Sequence, residues 1–277
     1  MKFALVLHPL RGRAEDLAER FTSEAIARGM AVSAEPADAY RVSGTEVRAE
    51  GSAGDADIVV AVGGDGTVLQ AVRRSLEPGI PILGVNAGQV GFLTEVEPPF
   101  ISDALDAIES GNYTIAERTT IEAQIGDTLS ATGLNDVVIE KAVSQHVLRV
   151  SAHVGDDLLT RYRADAVVVA TPTGSTAYTY SAGGPLLDPD LDAMVVTTVA
   201  PHTLFSRPIV FRPDVRLTLK VEGDRSARVN VDGRWLADLD PGDEVSIVRG
   251  TSMARFIRFQ PRNFVRSVRD KFHLHDG

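Results

Sequence analysis

The sequence predicts an α/β N-terminal domain built on a parallel sheet, followed by an all-β, sandwich-like C-terminal domain. Up to about residue 111, short apolar runs alternate with segments whose apolar residues recur every three to four positions, the pattern of strand and helix units around a parallel sheet. From residue 112 the dominant period is two, as in half-exposed antiparallel strands. The pattern changes again near Arg255, where Arg262, Arg266 and Arg269 fall on one face of a short terminal helix, whose plain reading is a solvated charged face. The expected division is therefore 1–111, 112–253 and a tail, 254–277.

The elements follow in order. Phe3 to Leu7 is a continuous apolar run and reads as a first strand; Leu17, Phe21 and Ala25 then mark a helix over Glu15 to Arg28, stopped by Gly29. The polar stretch Pro36 to Gly54 reads as a mobile loop. Ile58 to Val62 is a buried-strand run, and Val68, Leu69, Val72 and Leu76 mark a helix over Thr67 to Leu76, closed by Pro78-Gly79. Ile80 to Val85 is a further strand, and Pro98 to Ser110 a helix with Ile101, Ala104, Leu105 and Ile108 on one face. Beyond residue 112, strands are expected at Val137 to Glu140, Leu148 to Val154, Asp165 to Ala170, Ala193 to Ala200, Val215 to Val221, Arg228 to Val231 and Glu244 to Val248.

Composition narrows the function classes. The 277 residues are 44% hydrophobic and 24% charged, which excludes disordered, collagenous and fibrous chains. With no cysteine, a disulfide framework, a thiolate metal site and a cysteine nucleophile are all excluded. A net charge of −10 argues against non-specific attraction to a nucleic-acid backbone. No apolar stretch approaches the ~20 residues needed to span a bilayer, and the N-terminal run stops at His8-Pro9, short of a secretory signal. No membrane partner is expected, and the cytoplasm is the default address.

Three groups of residues carry chemistry. Gly63-Gly64-Asp65-Gly66-Thr67 follows a strand and opens a helix, where backbone N–H groups can approach phosphate oxygens; Gly63, Gly64, Gly66 and Thr67 make the candidate phosphate-donor loop. It is neither a Rossmann fingerprint, since Leu69 stands where a third glycine belongs, nor a P-loop. Asp65 is the informative residue. A carboxylate ~4 Å from a phosphate charge is repelled by roughly 4 kcal/mol at an effective dielectric of ~20. A divalent cation, or a substrate hydroxyl whose proton Asp65 accepts, would offset this, and both indicate phosphoryl transfer. The plainer alternative is an aspartate capping the helix.

The second group is Thr171 to Tyr178 with Ser181 to Pro185, where clustered hydroxyls and an aromatic face read as a ligand-lined turn, against the plain alternative of a Ser/Thr/Gly loop. Arg163 and Asp165, at alternate positions leading into it, share a face or form a surface ion pair. The third is Asn135-Asp136, an amide beside a carboxylate that can bracket a ribose diol or simply make a turn, with His146 nearby. The six histidines show no metal-ligand spacing.

Taken together, Gly63-Gly64-Asp65-Gly66-Thr67, Asn86-x-Gly88-x-x-Gly91-Phe92-Leu93, Asn135-Asp136, Thr171-Pro172-Thr173-Gly174-Ser175-Thr176-Ala177-Tyr178 and Pro201-His202-Thr203-Leu204 resemble the NAD kinases over about residues 57 to 235. The glycine-aspartate turn is shared with lipid and sugar kinases; the threonine-rich stretch is more specific. The resemblance implies a tail packing back on the first domain, and a reaction in which the 2′-hydroxyl of NAD's adenosine ribose attacks the γ-phosphate of ATP with Mg²⁺. Asp65 would be the base. Gly66, Asn135, Asp136, His146, Arg163, Asp165, Thr176, Ala177, Tyr178 and Ser181 would line the NAD pocket. Family β domains commonly form dimers or tetramers, so a homo-oligomer is expected. Gln70 and Arg234 depart from residues common in the family, and the donor stays open between ATP, another nucleoside triphosphate and polyphosphate. A lipid or sugar kinase and a non-catalytic NAD(P)-binding sensor are the competing readings.

Overall fold

The computed structural model describes residues 1–9, 12–88, 91–144, 146–261 and 263–274. Arg262 of the terminal arginine series and His275 lie outside the described residues. The chain divides into two compact units, Met1–Glu117 with Ser252–Gly277, and Arg118–Thr251.

The elements of the first stretch are β1 (Lys2–Leu7), α1 (Arg13–Ala27), β2 (Ala31–Ala34), α2 (Pro36–Ala39), β3 (Glu46–Val47), β4 (Ile58–Gly63), α3 (Asp65–Ser75), β5 (Ile82–Asn86), α4 (Ile101–Glu109) and β6 (Thr114–Arg118). Then come β7 (Ile121–Ile125), β8 (Leu129–Gly133), β9 (Asp136–Lys141), β10 (Leu148–Val154), β11 (Asp157–Ala164), β12 (Ala166–Ala170) and α5 (Tyr178–Ser181). The second unit continues through β13 (Met194–Val199), β14 (Ile209–Phe211), β15 (Leu217–Val221), β16 (Ala227–Val231), β17 (Arg234–Leu239) and β18 (Glu244–Arg249). β19 (Ala254–Arg258) and α6 (Phe264–Lys271) complete the chain.

In the first unit the strands lie in the order β3-β2-β1-β4-β5-β19-β6, and the pairs from β3 to β19 are parallel. β1 and β4 are central and covered on both faces, so residues 3–7 and 58–63 are buried without alternation. Leu17, Phe21 and Ala25 bring α1 onto this sheet, with the Phe21 ring edge-on to Phe3 at 5.2 Å. Each such fully buried side chain contributes about 2 kcal/mol of burial free energy.

The expected loop over residues 36–54 instead contains α2 and β3. Glu35 is the reason. It takes bonds from Arg74 on α3 and from Arg48, which also reaches the Leu5 carbonyl at 3.0 Å. These bonds, Arg74's first, hold the Glu35 carboxyl well below its ordinary range, at about 2. Short polar elements fixed by ion pairs from distant positions leave no hydrophobic period to read.

In the second unit two six-stranded antiparallel sheets, β11-β10-β15-β18-β7-β8 and β14-β13-β12-β9-β16-β17, share one core that includes Val150, Leu219 and Ile247 from the first and Ile139, Val167 and Val229 from the second. β12 is buried throughout because its other face, Ala166, Val168 and Ala170, packs with Leu187 and Val199. This explains why β12 reads as a continuous apolar run while β15 alternates. Asp165 lies outside β12, at the point where the chain leaves one sheet for the other.

Candidate active site

In the first unit, β1 leads on to β2 on one side and β4 to β5 on the other, so the carboxyl ends of β1 and β4 form a topological switch point, the place where open α/β sheets bind ligands. The glycine-aspartate turn lies there. Helix α3 begins at Asp65, earlier than the expected Thr67, because Gly64 in extended conformation (φ −98°, ψ −169°) serves as its N-cap without a side chain. Asp65 is therefore not the cap. Its carboxylate crosses to the next loop, where Oδ2 accepts the Phe92 N–H and Oδ1 the Leu93 N–H, both at 3.0 Å. Gly91 makes this possible, since a Cβ there would stand 2.3 Å from Asp65 Oδ1. A carboxylate has about four lone-pair positions, and two remain for a substrate proton.

The N–H groups of Asp65 and Gly66, first in the helix, take no partner among the described residues, and a Cβ on Gly64 or Gly66 would meet nothing within 4 Å. Unspent donors beside open space at a helix N-terminus suit an anion. The Thr67 side chain is buried against Gly63, its N–H bonds to the Gly64 carbonyl at 2.9 Å, and its hydroxyl takes no hydrogen-bond partner among the described residues. Asn86 is also internal, its amide on Glu97 and its oxygen on the Gly88 N–H at 3.0 Å. Gln70 follows on α3, partly buried.

In the second unit, Asn135 and Asp136 open β9 and are held by a residue the sequence reading gave no role. Asp232 and Gly233, with φ of 48° and 71°, turn β16 into β17, and the Asp232 carboxylate accepts the N–H groups of Leu134 (2.8 Å), Asn135 (2.7 Å) and Asp136 (3.2 Å). An Asp-Gly pair is common hairpin chemistry. Asp136 is buried, and its carboxylate takes no hydrogen bond among the described residues. Burial, then the charge of Asp232, pushes its pKa up to about 7.

Tyr178 gathers the same region. The phenol is 39% exposed, and its pKa is raised by burial and then by the charges of Glu140, Asp165 and Asp136, which places it in their field. Asp165 is bonded to Lys141 at 2.6 Å, so its carboxylate pairs with Lys141 rather than in the plainer alternative of a surface pair with Arg163. Gly174 packs directly on Asn135, where a Cβ would stand 2.0 Å from the carbonyl oxygen.

The hydroxyl-rich stretch divides into an inner and an outer part. Thr171 and Ser175 are fully buried and bond to the carbonyls of Leu134 and Pro172, both at 2.6 Å. They fold the turn. Thr176 and Ala177 are partly buried, with the Thr176 hydroxyl on the Thr173 carbonyl, and Tyr178, Tyr180, Ser181 and Gly183 are exposed. Arg163 lines a cavity of about 550 Å³ with Arg149, Glu222 and Arg225, and His146 one of about 190 Å³ with Ser226 and Lys141, the partner of Asp165. Asn135, Asp136 and Tyr178 line neither. Arg234, at the start of β17, is exposed.

Residues 3–113 match the ATP-NAD kinase N-terminal domain and residues 134–259 the ATP-NAD kinase C-terminal domain. The chain belongs to the NAD kinase family. It is 38% identical over 277 residues to the NAD kinase of Symbiobacterium thermophilum, covering 98% of each chain, and 43% identical over 221 residues to that of Heliobacterium modesticaldum, covering 78% of each. Among solved structures it resembles an NAD kinase from Archaeoglobus fulgidus in complex with ATP, with a TM-score of 0.78, 25% identity, and 98% and 99% of the two chains covered. Yeast NADH kinase complexed with NADH shares the fold, with a TM-score of 0.89 at 22% identity, over 100% of this chain and 89% of that one.

Proposed function

We propose that this chain transfers the γ-phosphoryl group of ATP to the 2′-hydroxyl of the adenosine ribose of NAD, giving NADP and ADP. The observation that carries this reading is the Asp65 carboxylate, fixed by two backbone N–H groups at 3.0 Å beside a turn with unspent donors and open space. Asp65 accepts the proton of the ribose hydroxyl. The hydroxyl oxygen bonds to the γ-phosphorus as the bond to the ADP oxygen breaks, with charge developing where the N–H groups of Asp65 and Gly66 can receive it. Asn135 and Asp136 bracket the ribose by donating and accepting, Tyr178 offers its ring, and His146, Arg163, Asp165, Thr176, Ala177 and Ser181 complete the NAD pocket.

Mg²⁺ enters as part of the substrate, MgATP; among the described residues no three His, Cys, Asp or Glu side chains converge to hold a metal ion. No helix among them is long and apolar enough to cross a membrane. The reading carries with it a place in NADP biosynthesis, a cytoplasmic address and a homo-oligomeric state. The test is to incubate the protein with NAD, ATP and Mg²⁺ and to follow NADP through an NADP-specific dehydrogenase. NADP formation is expected; no NADP with either ATP or polyphosphate would overturn the reading in favour of a dinucleotide sensor or a kinase for another alcohol.

A further inference from the structure

The loop that supplies the two N–H groups to Asp65 is held by the C-terminal segment of the chain at two points. Glu95 is the first. One of its oxygens accepts from Arg258 Nη1 at 2.6 Å and the other from the Phe259 N–H at 3.0 Å, while its own N–H bonds to the Gly84 carbonyl of β5 at 2.9 Å. Arg258 ends β19 and is only 6% exposed; its Nε and Nη2 atoms are buried without a hydrogen-bond partner among the described residues, so Glu95 is the carboxylate these residues set against a guanidinium that otherwise faces the Phe256 ring at 5.5 Å. Such a pair is far costlier to break than a surface one, which fixes the position of Glu95 firmly. The second point is Phe92, whose N–H bonds to Asp65 and whose ring meets that of Phe272, at the end of α6, with centroids 5.9 Å apart and planes at 47°. Residues 92 and 93 thus lie between one contact from β19 and another from α6.

We propose that Phe272 and the Glu95–Arg258 pair are positioning residues for Asp65, and that the C-terminal segment sets the aim of the catalytic carboxylate through the backbone of Phe92 and Leu93. This rests on the role of Asp65 given above. The contacts do not touch the groups assigned to NAD, so their loss misaligns the base and leaves dinucleotide binding intact, and a small misplacement of a reacting group costs rate steeply.

Phe272→Ala is the variant of choice because the ring is partly exposed and lies outside the main core cluster of the sheet, and thermal denaturation checks that the variant folds once Phe92 loses its neighbour. We expect kcat to fall about tenfold, KM for NAD to stay within about twofold, and Phe272→Tyr to recover most of the rate. Hydrogen exchange supplies a readout independent of activity: the Phe92 and Leu93 amides should exchange faster in Phe272→Ala while those of Val59 to Val62 keep their protection. Glu95→Gln should act in the same direction with a larger effect, and its folding is checked by thermal denaturation. If the wild-type protein makes no NADP, the functional reading fails and the exchange experiment still decides whether the brace exists. If NADP is made and Phe272→Ala keeps its kcat, or loses it with unchanged exchange at residues 92 and 93, the positioning role is overturned.

Discussion

The Asp65 turn and the Asn135 to Tyr178 region spend their polar groups in opposite ways. Around Asp65 the carboxylate is fixed by backbone donors with lone pairs left for one proton, and what is distinctive there is the pair of free helix N–H groups beside open space. Around Asn135 the backbone donors are taken by Asp232, the Thr171 and Ser175 hydroxyls are taken by carbonyls, and what stays free is the Asp136 carboxylate. One region presents donors to an anion, and the other presents an acceptor to hydroxyls. The lesson is that a count of polar residues says little about a site; the unspent valences identify the ligand group.

Four substitutions would break or sharpen that contrast. The largest effect belongs to Asp65→Asn, which keeps the side chain's size and removes the base; kcat should fall about 10²-fold or more in the coupled NADP assay. Next is Gly174→Ala, whose Cβ would press on the Asn135 carbonyl and must move backbone. It should destabilise the protein by about 1–3 kcal/mol in thermal denaturation and weaken NAD binding, whereas Gly66→Ala, facing open space, should leave the melting temperature nearly unchanged and raise KM for ATP. Tyr178→Ala should raise KM for NAD about tenfold with little change in kcat; the reverse pattern would remove the ring from the NAD pocket.

The smallest effect is the pH dependence of Asp136. Its folded-state pKa, about 7, lies above the ordinary 3.8, so the folded state holds the proton more tightly. Stability from this group is full below about pH 4 and declines as pH rises toward 7. Ribose hydroxyls donate to the ionised form, so KM for NAD should fall a few-fold between pH 6 and 8. Asp136→Asn should flatten both profiles, measured as melting temperature and KM against pH.

The sequence made the local features legible. Turns such as Gly63 to Thr67, strands such as β12 and the period-two strands all announce themselves within a few residues. Features built from distant residues were silent. Asp232 acts on Leu134 across 98 positions, and β19 joins the sheet of β1 to β5 from the far end of the chain. Direction was hidden as well: composition counts the hydroxyls of Thr67, Thr171 and Ser175 as candidates, and only coordinates show them turned inward. The same holds for Asp65: its sequence position allows a cap as the plainer alternative to a base, and its carboxylate instead crosses to the N–H groups of Phe92 and Leu93.

The division of labour between the two regions is tested most directly by titrating NAD into Asp65→Asn in a calorimeter and assaying the same sample for NADP. The predicted result is binding within a few-fold of wild type with turnover reduced about 10²-fold or more. Turnover near the wild-type rate, or loss of NAD binding in step with loss of turnover, would contradict the assignment of chemistry to Asp65 and of dinucleotide binding to the β sandwich.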